Sequence, residues 1–516
     1  MILDSPSPSP PATPAVKSII TNESTDPRKI RRERHHEADI VIVGAGIIGT
    51  AAAVAFGKQG RSVILLERDL RQPNRIVGEL LQPGGVKALE KLGLRDCLEG
   101  IDATVCKGYE VRYYGAPVHI PYTNPGGTEL PEGRSFHHGR FIQKLREAAM
   151  RTPNVTVVET TANDFVKDDY TGQILGVECS TNGEKDYYFG HLTLACDGYA
   201  SKFRKTHHTR TPKQRSKFFG MELIDCDLPR TQHGLVNLSD SPPVLLYQIG
   251  THETRVLIDV PEGYEKASVK NGGVKGYIKN IVLPSLPKSV QPSFKAALEA
   301  GGLRSMPNSF LPAATNCTPG MAIIGDALNM RHPLTGGGMT VAFKDVVLLS
   351  DMLSPEIVPE LSDTKAVLHQ FKWFHWQRKG GSSVINILAM ALYSLFAAND
   401  PTLATLQRGC FHYFLRGGAC VDGPVGLLAG LIPNPMVLFY HFFSVALYGI
   451  WIRIGEGFSR KRLAADGINV AGDKETGEWI VGIFQTLGWI LIGGPLYVFI
   501  RAAGVIGEFV LGEVGY

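Results

Sequence analysis

The segment Gly44 to Gly49, with the sequence GAGIIG, most constrains the fold of this chain. It follows a β-branched run from Ile40 to Val43 and opens an alanine-rich stretch that continues to about Gln59. A second aliphatic run, from Val63 to Leu66, comes next. This order predicts a strand, a glycine turn, a helix and a second strand, which together form a βαβ unit.

Each glycine of this motif has its own task in such a unit. Gly44 permits a tight turn, Gly46 lets the backbone approach a pyrophosphate, and Gly49 lets the helix pack closely on the strand. Glu67 closes the second strand, where its carboxylate would accept hydrogen bonds from an adenosine ribose and repel a 2′-phosphate. The motif therefore predicts NAD or FAD binding and disfavours NADP at this site.

A second glycine-rich segment, from Gly325 to Met339, favours FAD over NAD. Asp326 is predicted to end a strand, and Gly336, Gly337 and Gly338 are predicted to open a helix. The N-terminus of that helix suits the electron-rich edge of a reduced isoalloxazine, which NAD enzymes do not need to hold. Between the two motifs, the segment Cys196 to Arg204 predicts another strand followed by an Asp-Gly turn and a basic residue.

Composition excludes several other classes of protein. A formal net charge of +4 over 516 residues gives no nucleic-acid footprint. The eight cysteines never occur as Cys-x-x-Cys, which favours reduced thiols in a cytosol-facing protein. His137 and His138 are adjacent and are expected to point in opposite directions, so no metal site is predicted. No Ser/His/Asp order, catalytic carboxylate pair or P-loop is recognisable.

The order of elements predicts an α/β protein with a Rossmann-like FAD-binding domain, an inserted mixed α/β substrate domain and a C-terminal helical membrane-associated region. The Pro/Ser-rich start has no apolar stretch that could serve as a signal-peptide core and is expected to be disordered. The expected ranges are 1–38 for this tail, 39–215 and 318–370 for the two parts of the FAD-binding domain, 216–317 for the substrate domain and 371–516 for the helical region.

Two long uncharged stretches explain a mean hydropathy of zero in a chain with a polar tail. They run from Gly423 to Ile452 and from Trp479 to Ile500, and each is long enough to cross a bilayer. Both contain helix breakers, so two spans, an anchor on one face of the membrane and a buried core remain alternatives. We expect the one-face anchor, with the basic residues between the stretches on the cytosolic side.

The three motifs, GxGxxG, DGxxSxxR and GDAxNxxxPxxGxG, resemble those of the FAD-dependent monooxygenases that include the aromatic hydroxylases. This resemblance covers about 39–350. The segments Arg75–Gly85, Phe136–Arg140 and Met330–Met339 resemble more specifically the squalene epoxidase (squalene monooxygenase) family. With the apolar C-terminal stretches the resemblance extends over nearly the whole ordered chain, in the shorter type that lacks an added N-terminal membrane domain.

The resemblance implies FAD as cofactor, with catalytic roles for Tyr109, near the flavin, and Asp326. Arg75 and Arg140 suit a pyrophosphate because a guanidinium donates two hydrogen bonds at once. Arg146 follows Arg140 by six residues, so the two would leave different sides of one helix and at least one would be structural. The FAD contacts that the resemblance implies are Ile47, Ile48, Glu67, Arg68, Arg75, Arg140, Arg146, Ala162, Asp326 and Met339.

The activity implied is the epoxidation of squalene to 2,3-oxidosqualene by O2 in sterol (ergosterol) biosynthesis, through a flavin C4a-hydroperoxide. Electrons would come from NADPH through the microsomal cytochrome reductase. The implied location is the endoplasmic reticulum membrane, with membrane lipid as a partner and the catalytic domain facing the cytosol. A FAD-dependent aromatic hydroxylase and a non-redox prenyl-binding escort protein of the same fold are the alternatives.

A hydrocarbon substrate needs apolar walls that exclude water and present one double bond to the flavin. We expect such a wall from Leu245, Leu246 and Tyr247 in the substrate domain. A second candidate is the helix after Ser382, although a stripe of this kind is also typical of a plain core. Its members are Ile387, Leu388, Leu392, Leu395 and Phe396.

Overall fold

The structure, a computed structural model, describes residues 36–124, 129–397, 401–458 and 493–514, together with 487, 488, 490 and 491. Residues 1–35 of the expected tail lie outside the described residues, as do 479–486 of the second apolar stretch. The first strand begins at Glu37, two residues before the expected start at Asp39, because Glu37 and Ala38 pair with Phe189 and Gly190.

Seventeen strands and ten helices of ten or more residues form the described chain, with short helical turns at 95–98, 204–207, 265–285, 325–327 and 333–335. The strands are β1 Glu37–Val43, β2 Val63–Glu67, β3 Leu80–Leu81, β4 Thr104–Cys106, β5 Gly108–Tyr113, β6 Ala116–Pro121, β7 Gly133–Ser135, β8 Val155–Glu159, β9 Thr161–Lys167, β10 Ile174–Thr181, β11 Glu184–Ala195, β12 Lys213–Ile224, β13 Gly234–Leu238, β14 Val244–Gln248, β15 Glu253–Pro261, β16 Arg304–Phe310 and β17 Met321–Ile323. The helices are α1 Ile47–Lys58, α2 Pro83–Leu92, α3 His138–Arg151, α4 Gln291–Ala300, α5 Gly338–Met352, α6 Thr364–Phe396, α7 Pro401–Leu415, α8 Ala419–Leu428, α9 Pro435–Phe458 and α10 Gly494–Val514.

The first sheet contains the predicted βαβ unit. Its strand order is β8-β2-β1-β11-β10-β9, and β17 also pairs with β11. β8, β2, β1, β11 and β17 are parallel, with Ala195 opposite both Val43 and Ile323. Because parallel strands share a direction, the three turns that follow β1, β11 and β17 meet at one edge of the sheet. This edge brings the three glycine motifs together, as the sequence predicts.

The second sheet has the order β16-β12-β15-β14-β13-β5-β6 and differs from the expected contiguous domain. Five of its strands lie within 213–310, so the sheet starts three residues before the expected boundary at 216. β5 and β6 come from the range expected in the FAD-binding domain, and β5 pairs in parallel with β13. Local hydrophobic pattern does not disclose such a partner, because the pairing joins strands more than 100 residues apart.

Helix α6 has 33 residues and connects two hydrophobic cores. It begins at Thr364, before the expected boundary at 371, because the Asp363 carboxylate accepts hydrogen bonds from the backbone N–H groups of Lys365 and Ala366. Phe371 and Phe374 in its first half pack into the core of the first sheet. Its second half, from Val384 onward, packs with the second sheet and the C-terminal helices.

Two described helices, Pro435–Gly455 and Gly494–Val514, are long and apolar enough to cross a membrane. The predicted breakers stand at helix starts: Pro435 opens α9 and Pro495 lies in the first turn of α10, where proline is tolerated. The second helix therefore extends 14 residues beyond the predicted stretch that ended at Ile500, and it includes Glu508 and Glu513.

We predict that Arg378→Met lowers the free energy of unfolding by about 3–5 kcal/mol. Arg378 of α6 donates two hydrogen bonds, of 3.0 and 2.7 Å, to the Asp345 carboxylate of α5, and both side chains are buried. The single variant leaves Asp345 charged and unpaired. The double variant Asp345→Leu/Arg378→Met should recover most of the loss, measured by urea unfolding in detergent; a double variant no more stable than the single one would contradict this explanation.

Candidate functional site

A cavity opens where the three glycine turns meet the second sheet. The first side of its wall is the backbone of the nucleotide-binding edge, and the second side is the apolar face of β5, β13, β14 and β15. Residues predicted for the site that lie on this wall are Gly46, Ile47, Ile48, Arg75, Tyr109, Leu245, Leu246, Tyr247, Asp326, Gly336, Gly338 and Met339.

The loop from Gly44 to Gly49 is shaped by close backbone contacts. Gly44 has a φ of +101°, and an added Cβ would lie 2.7 Å from the carbonyl oxygen of Cys196. An added Cβ at Gly49 would overlap the carbonyl oxygen of Gly44, whereas at Gly46 it would meet no atom within 4 Å. Gly44 and Gly49 are therefore required by the fold itself, and Gly46 leaves open space on the cavity wall.

Glu67 holds this loop in place. Its Oε2 accepts a hydrogen bond of 2.8 Å from the Ala45 N–H and lies 3.5 Å from Nη2 of Arg146. Arg146 is buried and donates to the carbonyl oxygen of Ala45 at 3.0 Å. Glu67 therefore lies behind the loop and is not part of the cavity wall. The sequence had predicted instead that its carboxylate binds a ribose.

Of the four predicted FAD-binding arginines, Arg68, Arg75, Arg140 and Arg146, Arg75 alone lines the cavity. Its guanidinium lies 5.1 Å from the ring centre of Tyr199, and its buried Nε has no hydrogen-bond partner in the described chain. Arg140 leaves another side of α3 from Arg146 and lies 3.5 Å from Asp102. The expectation that Arg140 and Arg146 diverge is met, and neither lines the cavity. Arg146 donates to the backbone oxygens of Ala45 and Arg71.

The Asp326 turn is fixed by the buried Arg204 of the DGxxSxxR motif. Arg204 donates to the carbonyl oxygens of Asp326 at 3.0 Å and of Tyr199 at 2.6 Å. The Asp326 side chain lines the cavity, and within the described residues no hydrogen bond reaches its carboxylate. The motif arginine therefore aligns the turn through backbone atoms and leaves the carboxylate available to a ligand.

Several predicted residues lie off this wall. An added Cβ on Gly337 would lie 2.5 Å from Ile385 of α6, so this glycine permits helix packing. Ile387, Leu388, Leu392, Leu395 and Phe396 belong to the core between the second sheet and the C-terminal helices, as the plain-core alternative expects. Gly44, Gly49, Glu67, Arg68, Arg140, Arg146, Ala162, Gly337, Leu392 and Phe396 are the predicted site residues outside the cavity lining.

Tyr109 belongs to a buried hydrogen-bonded group that the sequence did not disclose. The Gln82 side-chain amide donates to the Tyr109 hydroxyl oxygen and, at 2.6 Å, to the carbonyl oxygen of Thr335. Tyr122 donates to Oε1 of Gln82 at 2.6 Å. Burial raises the pKa of Tyr109 well above its usual range, so its hydroxyl stays protonated. Tyr109 is also one of the residues that line the cavity.

A buried ion pair borders the cavity, and its carboxylate residue, Glu79, is part of the lining. Arg255 donates to both carboxylate oxygens of Glu79, at 2.8 and 2.9 Å, and the Tyr247 hydroxyl lies 3.4 Å from the same carboxylate. Burial raises the pKa of Glu79, and the hydrogen bonds from Arg255 oppose that shift. The pair orients Tyr247 and joins β15 to the loop before β3. Nothing in the sequence indicated this pair, because no motif links Glu79 to Arg255.

His332 joins the second sheet to the loop that precedes α5. Its Nδ1 accepts from the Leu334 N–H at 3.2 Å, and its Nε2 lies 3.3 Å from Asp259 Oδ1 and 3.0 Å from the Ser216 hydroxyl. Since Nδ1 accepts, Nε2 carries the proton and faces Asp259. This fully buried group fixes the position of the loop from Leu334 to Gly336 on the cavity wall. The only sequence feature that pointed to His332 is its position next to the glycine motif.

His137 and His138 point in different directions, as predicted. His138 lines the cavity with Nδ1 2.8 Å from the Gly78 carbonyl oxygen, while Nε2 of His137 lies 3.8 Å from Glu253. Burial lowers the pKa of His138 to about 4, so this imidazole is neutral at pH 7. No group of three or more metal-ligating side chains occurs among the described residues.

The residues on the wall fit FAD. Two helix N-termini, of α1 and α5, face the cavity with glycines that leave room for close approach of a pyrophosphate and a ring edge. Arg75 and Arg331 both line the cavity and both have a buried Nε without a partner in the described chain. The donor set therefore suits an anionic dinucleotide beside an apolar compartment.

Solved structures share this fold. PqsL of Pseudomonas aeruginosa, with 2-aminobenzoylacetate, is 20% identical at a TM-score of 0.58, over 70% of this chain and 97% of that one. A flavoprotein/dehydrogenase of Cytophaga hutchinsonii is 16% identical at a TM-score of 0.64, over 81% of this chain and all of that one. The fold is thus that of the FAD-dependent monooxygenase class, as predicted.

Sequence comparison is more specific. The family model "Squalene epoxidase" matches residues 189–463. Squalene epoxidase erg1 of Aspergillus fumigatus is 64% identical over 86% of this chain and 92% of its own length, and ERG1 of Gibberella zeae is 53% identical over 84% and 91%. Squalene epoxidase 1 of Arabidopsis thaliana is 43% identical over 80% and 77%. This chain belongs to the squalene epoxidase family.

We predict that Gly46→Val and Gly49→Val fail for different reasons. A Cβ at position 46 meets no protein atom within 4 Å, and the valine side chain would fill space on the cavity wall, so the variant should fold and lose bound flavin. The valine at position 49 overlaps the Gly44 carbonyl, so that variant should not fold. Flavin absorbance after gel filtration and thermal unfolding separate the two outcomes; stoichiometric FAD in Gly46→Val would refute the role of this loop.

Proposed function

We propose that this chain is a FAD-dependent squalene epoxidase that acts in the cavity between the two sheets. Squalene, O2, NADPH and a proton would yield 2,3-oxidosqualene, water and NADP⁺, a step of sterol biosynthesis. The observation that carries the proposal is one cavity in which a dinucleotide-binding edge faces an apolar wall with a protonated tyrosine. Family membership favours squalene over the substrates of aromatic hydroxylases and favours a redox enzyme over an escort protein.

FAD would be held by the nucleotide-binding edge. The α1 N-terminus at Gly46 to Ile48 and the Arg75 guanidinium would face the pyrophosphate, and the unpartnered Asp326 carboxylate would bind hydroxyl groups of the cofactor. Gly336, Gly338 and Met339 would border the ring. When bound, reduced FAD supplies the chemistry that activates O2 for transfer of one oxygen atom to an alkene.

The substrate would lie along the second sheet. Squalene has no polar group, so shape and exclusion of water must position its double bond. Leu245, Leu246 and Tyr247 provide this wall, and the Glu79–Arg255 pair holds the Tyr247 hydroxyl away from the hydrocarbon. Leu392 and Phe396 pack in the same apolar core and would support the wall from behind.

Tyr109 would act as a hydrogen-bond donor at the reacting centre. Its oxygen accepts from the Gln82 amide, and its hydroxyl hydrogen would point into the cavity that both ligands would share. A neutral donor in an apolar site stabilises negative charge that develops on oxygen, because little solvent competes with it. The group remains protonated throughout, since burial raises its pKa.

The electron donor would be the microsomal NADPH-dependent cytochrome reductase, and the protein would lie on the cytosolic face of the endoplasmic reticulum. Exposed apolar side chains on α9 and α10 support attachment to lipid: Met436, Tyr440, Leu447, Trp451, Leu496, Tyr497 and Ile500. Glu508 pairs with Arg215 and Glu513 bonds Ser383 and Asn386, so the last turns of α10 rest on the catalytic part. This seating favours an anchor on one face of the membrane over two spans.

The reaction is tested with purified flavoprotein, the reductase, NADPH, labelled squalene and ¹⁸O2. Wild type should give 2,3-oxidosqualene with one ¹⁸O atom. Tyr109→Phe should retain FAD and lower kcat by about a hundredfold, because one donor to developing charge is removed. Tyr277→Phe is the matched control, since that tyrosine is also buried and lies in a separate core. Equal rates for both variants would remove Tyr109 from the mechanism.

The anchor is tested on its exposed face, because deletion of α10 would also remove Val498, Ala502 and Phe509 from the core. We predict that Leu496→Ser/Tyr497→Ser/Ile500→Ser moves the folded flavoprotein from the microsomal pellet to the soluble fraction, since it removes apolar area from lipid contact. The control is Tyr170→Ser, an exposed aromatic on the catalytic part. Retention of the triple variant in carbonate-washed membranes would place the anchor elsewhere.

A further inference from the structure

One face of α6 carries exposed aromatic and basic side chains without acidic neighbours on the helix. The 33-residue helix contains four Lys or Arg residues and no Asp or Glu. At spacings of three, four and seven residues, one exposed face presents the group that we name the tryptophan stripe. It consists of Lys365, His369, Lys372, Trp373 and Trp376.

The two tryptophans of this stripe are unusually exposed for their size. Trp373 and Trp376 are 51% and 53% accessible, although a buried tryptophan contributes a large apolar area to stability. Trp373 donates to His369 at 3.3 Å, and the Lys379 ammonium lies 4.6 Å from the ring centre of Trp376. Tryptophans of this kind, held among basic side chains at the surface, are typical of the centres of protein interfaces.

Within the described residues, neither Lys365 nor Lys372 of the stripe forms an ion pair with a carboxylate. Asp363 uses its carboxylate to accept from the first N–H groups of α6. Glu513 of α10 bonds Ser383 and Asn386, further along the helix. The stripe therefore presents positive charge and aromatic surface to solvent, which complements an acidic protein surface.

The opposite face of α6 holds the loop that borders the cavity. Arg378 donates to Asn329 Oδ1 at 3.2 Å, and Arg331, which lines the cavity, donates to the same oxygen at 2.8 Å. Asn386 of α6 donates to it as well, at 2.9 Å. An α-helix with side chains is about 10–12 Å in diameter, so a protein on the stripe would lie about one helix diameter from the cofactor loop.

The stripe is separate from the apolar surface that we assign to lipid. The part of α6 that bears it packs through Phe371 and Phe374 into the core of the first sheet. The lipid-facing helices α9 and α10 pack instead with the second half of α6. This separation favours a protein partner over a membrane as the occupant.

We propose that the tryptophan stripe is the docking surface for the acidic face of the electron-donating protein. The proposal rests on the proposed function, in which electrons reach FAD from an external reductase. Cationic residues would steer the encounter, and the tryptophans would supply the desolvated centre of the contact. A partner bound at the stripe would be separated from the cofactor loop only by α6, so the path for electrons would be short.

The test compares two stripe variants with two surface controls in the full-length holoenzyme. The variants are Trp373→Ala/Trp376→Ala and Lys372→Glu; the controls are Tyr170→Ala, which is 99% exposed, and Lys270→Glu, also exposed. The readout is the second-order rate of flavin reduction by NADPH-reduced microsomal reductase. Each stripe variant should lower this rate about tenfold, and Lys372→Glu should also weaken its dependence on ionic strength.

Reduction by dithionite, FAD content and binding to anionic phospholipid vesicles should be unchanged in the stripe variants. Wild-type rates with the reductase in both variants would overturn the proposal, and so would loss of vesicle binding, which would make the stripe a lipid contact. Reduction of the wild-type flavin by NADPH alone would overturn it too. Failure of dithionite-reduced wild type to epoxidise squalene with O2 would instead refute the proposed function.

Discussion

The parallel pairing of β11 with β1 on one side and β17 on the other is the constraint on which the site depends. These strands end at one edge, so turns that are about 150 and 130 residues apart in the chain meet there. Arg204 then ties the turn after β11 to the Asp326 turn through backbone oxygens. Without that convergence the three glycine motifs would be separate loops with no shared cavity.

Buried polar groups give the apolar cavity a defined shape. The Glu79–Arg255 pair, the Gln82–Tyr109–Tyr122 group and the His332–Asp259–Ser216 group all lie where the second sheet meets the first. A buried charge or hydrogen-bonding group is costly unless it is paired, so each group restricts the relative position of the elements that it joins. The proposed enzyme can thus hold a hydrocarbon without a polar handle because polar contacts at and behind the cavity walls fix the position of those walls.

Local sequence patterns predicted part of the site correctly. Gly46, Asp326 and Met339 lie on the cavity wall because strand–turn–helix order determines what a glycine turn faces. Arg140 and Arg146 illustrate the opposite case, since an arginine reaches far enough that neighbouring oxygens decide its direction. The resemblance of the motifs to a family predicted which types of residue the site contains. It could not predict which of these side chains line the cavity.

The sequence by itself determined the βαβ unit, the membership of the squalene epoxidase family and the apolar C-terminal region, because these depend on short-range order and composition. Only the tertiary structure decided that β5 joins β13, that α6 links both cores and that Gln82, Glu79 and His332 belong to the site. The physical reason is that hydrogen bonds and ion pairs between distant residues depend on three-dimensional distance. Periodicity along the chain does not indicate which distant strand or carboxylate will lie within hydrogen-bonding distance of a given residue.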